Sequence, residues 1–140
     1  MASTISPETV AAYEATNYRV FSDPPFVINI GQPSELLGQL YEVYGCASAA
    51  FITAWNPFSV PTSAKANAAA QARLQEELGS RSTPFIDGIG EDATGQWPGE
   101  PSVLALGLSL DTAKNYGVQF EQNAIVWAGT DACPQLILLC

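Results

Sequence analysis

The sequence contains no histidine at all. That absence removes the commonest metal ligand and the commonest acid–base side chain. It also excludes Ser-His-Asp and Cys-His catalysis within one chain. Basic residues are scarce: Arg19, Lys65, Arg73, Arg81 and Lys114 are the whole set, scattered along a chain of formal net charge −9. Phosphate backbones are held by clustered Lys and Arg, so no nucleic-acid partner is expected. Nor do the acids form the long array that a DNA mimic would need. The three cysteines, Cys46, Cys133 and Cys140, make no CxxC pair. They read neither as a disulfide framework nor as a zinc site. Only an all-oxygen Mg²⁺ or Ca²⁺ site stays open, and no cofactor is expected. No apolar run approaches the ~20 residues of a membrane helix. The opening "MASTISPETVAAYEAT" lacks the basic start and apolar block of a signal peptide, so the expected location is cytoplasmic.

What is present is apolar. Hydrophobic residues make up 47% of the 140 and charged residues 14%. That composition argues against disorder and fits one globular domain over residues 1–140.

Helix signals come first. "SPETVAAYEAT" offers Ser6 as a cap, Pro7 at the first helical position and Glu8 for the dipole, with an end near Asn17. "GQPSELLGQLYEVYG" places Leu36, Leu37, Leu40, Val43 and Tyr44 on one face and stops at Gly45. "VPTSAKANAAAQARLQEELG" is the clearest helix, capped by Thr62 or Ser63 and ended by Gly79; Arg73 and Glu77 are spaced to pair on it. "SLDTAKNYG" is a short one capped by Ser109.

Strand signals lie between. "YRVF" and "FVINI" flank the "SDPP" turn, and Ala49 to Trp55 reads as a central strand. "TPFIDGIG", "SVLALGL", "AIVW" and "LILL" supply the others. Strands and helices mix without strict βαβ alternation. The expected class is α+β, with one mixed, mainly antiparallel sheet and about four helices packed on it; a three-layer α/β sandwich is the alternative.

Several polar positions stand out against this apolar background. "GIGEDA" has the letters of a dinucleotide fingerprint, but "TGQWPGEP" follows where a helix is required, so the segment reads as a flexible loop. Its acids, Asp87, Glu91 and Asp92, lack EF-hand spacing. Asn67 shares a helical face with Gln71, Leu74 and Leu78, which should point inward. Its nearest partners by topology are Thr53 and Asn56, as a clamp on the "WNP" turn or as ligand contacts. In "WPGEPS", Pro98 and Pro101 stiffen the backbone around Glu100 at the mouth of a strand. A carboxylate held there and partly desolvated would titrate high, whereas one bonded by backbone N–H groups would be a staple. Gln122 and Asn123 point to opposite faces where the next strand begins.

Taken together, "AFITAWNP", Asn67, "WPGEPSVLALGL" and "QFEQNAIVWAG" resemble a bacterial family catalogued only as a domain of unknown function (DUF3293-like). The resemblance implies a small standalone bacterial protein. It also implies recurring positions at Thr53, Asn56, Pro57, Asn67, Glu100, Ser102 and Gln122, with no activity attached to them.

The leading expectation is a binding domain whose polar pocket is centred on Glu100. Thr53, Asn56, Asn67, Ser102 and Gln122 join it, and Trp97 or Trp55 forms an apolar wall for a small polar or cationic ligand. One alternative is a carboxylate enzyme with Glu100 as general acid or base, Ser102 or Thr53 as a positioned hydroxyl, and Asp87, Glu91 or Asp92 as the second titratable group. Another is an interaction module, bound to a protein partner or a second copy, in which the polar cluster only holds the fold.

Overall fold

The computed structural model describes residues 5–57, 60–92, 94 and 99–139. Its elements run α1 (Pro7–Ala15), β1 (Asn17–Val20), β2 (Phe26–Ile28), α2 (Glu35–Tyr44), β3 (Ala49–Ile52), α3 (Ala64–Ser80), β4 (Phe85–Glu91), β5 (Glu100–Leu106), α4 (Leu110–Gln119), β6 (Ala124–Ala128) and β7 (Gln135–Leu138). The strands form one seven-stranded sheet in the order β2-β1-β4-β5-β3-β6-β7. Every neighbouring pair is antiparallel, so the sheet is not mixed in its pairing. The α+β class holds.

Period-two alternation divides the sheet into two faces. On one, Ala50, Ile52, Val103 and Ile125 meet Leu74 and Leu78 of α3 and Tyr116 of α4. Both helices are crossovers on this face: α3 links β3 to β4 and α4 links β5 to β6. On the other, Val20, Phe51, Leu104 and Val126 meet Leu37 and Tyr41 of α2. All four residues of the central strand β3 are buried because helices cover both of its sides. The layering therefore matches the sandwich alternative while the pairing does not.

Helix starts follow the capping chemistry. Ser6, Ser34, Ser63 and Ser109 each accept a backbone N–H from the first turn. For α3 the cap is Ser63, whose Oγ accepts from Ala66 N at 3.1 Å. We expect Ser63→Ala to cost about 1 kcal/mol and Thr62→Ala to stay within about 0.5 kcal/mol, by urea denaturation. The reverse ranking would refute this assignment.

Three expectations need correction. The α2 stripe does not face inward as a unit: Leu37 is fully buried, while Leu36 is 47% and Val43 78% exposed. Tyr41 is the other buried residue of α2, so the inward face is rotated from the one assigned by spacing. The "GIGE" segment is no loop, because β4 runs to Glu91 and pairs with both β1 and β5. Arg73 and Glu77 make no ion pair among the described residues; Arg19 and Glu91 make one, with Nε to Oε1 at 2.8 Å.

Candidate functional site

The site grows from the first residue of β5. Glu100 lies opposite Gly90 of β4, and Ser102 opposite Gly88. Tyr18 of β1 continues the row beyond Gly90. Phe51 and Val126 stand on the same face, one on each side of the β3–β6 pair. These side chains belong to the face that α2 covers, and Tyr18, Phe51 and Val126 share a packed cluster with Leu37 and Tyr41 of α2.

α1 lies over this end, and between it and the sheet is a cavity of about 530 Å³. Thr53, Asn56, Glu100, Ser102 and Gln122, all singled out in the sequence, line it. Tyr18, Phe51, Val126 and Leu136 supply its apolar walls, and Thr9, Ala12 and Tyr13 its roof. Sequence reading missed these walls and the roof. The parity of Phe51 with Thr53 was a readable signal, whereas nothing local tells which helix covers which strand. Trp55 does not line the cavity. Trp97 and Pro98 lie outside the described residues.

Asn67 is in the network but not in the cavity wall. It is 3% exposed and clamps Asn56 twice. Its Oδ1 accepts from Asn56 N and its Nδ2 donates to Asn56 Oδ1, both at 2.8 Å. Asn56 has φ +45°, a left-handed conformation that asparagine tolerates better than most residues. So held, Asn56 donates from Nδ2 to Glu100 Oε2 at 3.2 Å. Gln71 holds the chain two residues earlier, its Oε1 accepting from Ala54 N at 2.9 Å. The two inward amides of α3 thus lock the chain where it leaves β3.

The hydroxyls near Glu100 are occupied by backbone. Thr53 Oγ1 donates to Pro101 O at 2.7 Å and accepts from Trp55 N at 3.0 Å. Ser102 Oγ donates to Glu100 O at 2.9 Å. Gln122 Nε2 donates to Phe120 O and Trp55 O at 3.1 and 3.3 Å. These groups shape the polar end of the cavity rather than waiting to react.

Glu100 differs from them. It is half-buried, and among the described residues its Oε1 has no hydrogen-bond partner. Burial raises its pKa above the ordinary glutamate value, and the Asn56 amide offsets part of that rise. Burial likewise pushes the Tyr18 phenol up, with the Glu100 charge adding to the effect. Among the described residues, the charged side chains on the cavity wall are Glu8, at the exposed rim, and Glu100.

The acids expected beside Glu100 are elsewhere. Asp87 pairs in register with Val103 on the opposite face, and its Oδ1 accepts from Gln75 Nε2. Glu91 engages Arg19, and Asp92 accepts from Thr94. No three acids or cysteines gather as a metal cluster among the described residues. Also among them, no helix is long and apolar enough to cross a membrane.

A family model described as "Protein of unknown function (DUF3293)" matches residues 52–125. That span holds the polar end of the site, from Thr53 to Gln122; α1, Tyr18 and Leu136 lie outside it. No curated protein and no solved structure matches the chain.

Proposed function

Because the chain belongs to that family, whose description assigns no activity, we propose from the site that it binds a small amphipathic ligand through a cationic head at Glu100. The observation that carries this reading is an apolar-walled cavity with one half-buried, underbonded carboxylate at its polar end. A desolvated anion favours a cation that replaces its lost hydration. Tyr18 and Phe51, edge-on with ring centroids 5.2 Å apart, give the apolar body a wall. Catalysis finds less support: Thr53 and Ser102 are engaged with backbone, and no second carboxylate reaches Glu100 from its own loop.

The test is thermal shift with 2-phenylethylamine, its neutral analogue 2-phenylethanol and the anion 3-phenylpropanoate. Binding to the folded state stabilises by ~2.7 kcal/mol at a hundredfold excess over Kd. We expect the amine to raise the melting midpoint most and the carboxylate least, and Glu100→Gln to level amine with alcohol. Equal shifts from all three in the parent would refute the cationic head.

The unliganded protein carries a second signature of the same carboxylate. The folded state holds the Glu100 proton more tightly than the unfolded chain, because its pKa is raised. That advantage is complete below the unfolded pKa of about 4.3 and is lost as pH rises through the folded value. Glu100→Gln should therefore be as stable as the parent or more so at pH 7, with the difference shrinking towards pH 4. A loss above ~2 kcal/mol at pH 7 would instead make Glu100 a structural staple.

A further inference from the structure

Two helices lie on the same sheet face, and they meet it differently. α2 sends Leu37 and Tyr41 into the core. α1 presents Glu8, Thr9, Ala12 and Tyr13 to the cavity, and none of its nine residues is buried. This face carries no large aliphatic side chain, which is the physical reason that the space beneath α1 is a cavity and not a core.

A nine-residue helix is below the ~12–15 residues at which isolated helices become even marginal in water. Helices that short owe their stability to tertiary packing, and α1 contributes no fully buried side chain to any. Its N-cap is sound, with Thr9 N donating to Ser6 Oγ at 3.2 Å. Its ties to the sheet include two bonds at Tyr13: Tyr18 Oη donates to Tyr13 O at 2.7 Å and Asn123 Nδ2 to Tyr13 Oη at 3.4 Å. Hydrogen bonds of this kind contribute little net stability beside a buried leucine.

We propose that α1 is a roof completed by the ligand: it opens readily over the empty cavity, and the apolar body of a bound amine supplies the core that α1 lacks. The occupant rests on the cationic-ligand reading above; the openness of the empty roof does not. Binding and closure are then one equilibrium, since a ligand that contacts α1 only when closed must shift it towards closed. The roof also explains how a ligand reaches a carboxylate half-buried in the cavity wall.

Hydrogen exchange on the full chain tests this. In the empty protein, α1 amides should exchange on the order of 100-fold faster than the central amides of α3. Ala12→Leu places a leucine on the cavity side of α1 and should slow α1 exchange about tenfold without ligand, while abolishing the melting shift from 2-phenylethylamine. In the parent, that amine at saturation should slow α1 by a similar factor and leave α4 unchanged. Protection of α1 equal to that of α3 in the empty parent would overturn the roof. A melting shift from the amine with α1 exchange unaltered would also overturn it, while leaving the binding site standing. Protection by Ala12→Leu with no amine-induced shift in the parent would support the open roof and overturn the amine as its occupant.

Discussion

Replacing Asn67 with alanine is expected to cost about 3 kcal/mol of folding stability, far more than an amide on an alanine-rich helix suggests. The side chain is buried, and both of its amide atoms are committed to Asn56. Truncation removes two short hydrogen bonds, each with a net contribution of about 1 kcal/mol, and strands the Asn56 N–H in a half-buried turn. Asn56 then loses what holds it at φ +45°, and its bond to Glu100 loosens with it. Asn67→Asp separates shape from bonding. It keeps the acceptor for Asn56 N but sets a carboxylate oxygen against Asn56 Oδ1, so it should cost about as much as alanine. Urea denaturation of both variants decides the matter. A cost below ~1 kcal/mol for either would mean that the clamp is incidental.

Gly88→Ala should cost about 2–4 kcal/mol, although it adds a single methyl group. A Cβ at Gly88 would lie 2.5 Å from the carbonyl oxygen of Arg19 and 2.9 Å from Phe51 Cε2. The first neighbour is the backbone of β1, which yields only if the strand pair shifts. The second is the ring that forms a wall of the cavity, so the substitution should also weaken amine binding. Gly90, one alternation along β4, is the control. A Cβ there would first meet Thr16 Cγ2 at 3.6 Å, an ordinary contact. Gly90→Ala should stay within about 0.5 kcal/mol of the parent. Equal costs for the two alanines, measured by chemical denaturation, would show that close approach to β1 and Phe51 is not why Gly88 is a glycine.

These positions show where sequence reasoning reached and where it stopped. Asn67 was visible because a polar residue on an apolar helical face needs a partner, and the turn that feeds α3 is the nearest source of one. Glu100 was visible because Pro101 and the apolar strand after it make a carboxylate conspicuous. Gly88 was not visible as a packing glycine. The segment from Gly88 to Glu91 has the glycine and acid content of a loop, and it is a strand because β1 and β5 pair with it on both sides. The inward face of α2 was misplaced for a related reason. Leu36 and Leu37 are equally apolar, and only the position of the sheet decides which is buried.

Local residue chemistry specifies the helix starts, through the serine caps, and most of the strand positions, through their apolar runs. Composition also excludes histidine chemistry, and the proline and apolar strand that follow Glu100 make that carboxylate conspicuous. All of these depend on residues close in sequence or on composition. The wholly antiparallel order, the face on which each helix lies and the cavity come from long-range packing. Those depend on how distant segments meet: α1 supplies Thr9, Ala12 and Tyr13, β4 supplies Gly90 and β5 supplies a carboxylate. A cavity is the space that such side chains leave between them, and no single stretch of the chain encodes it.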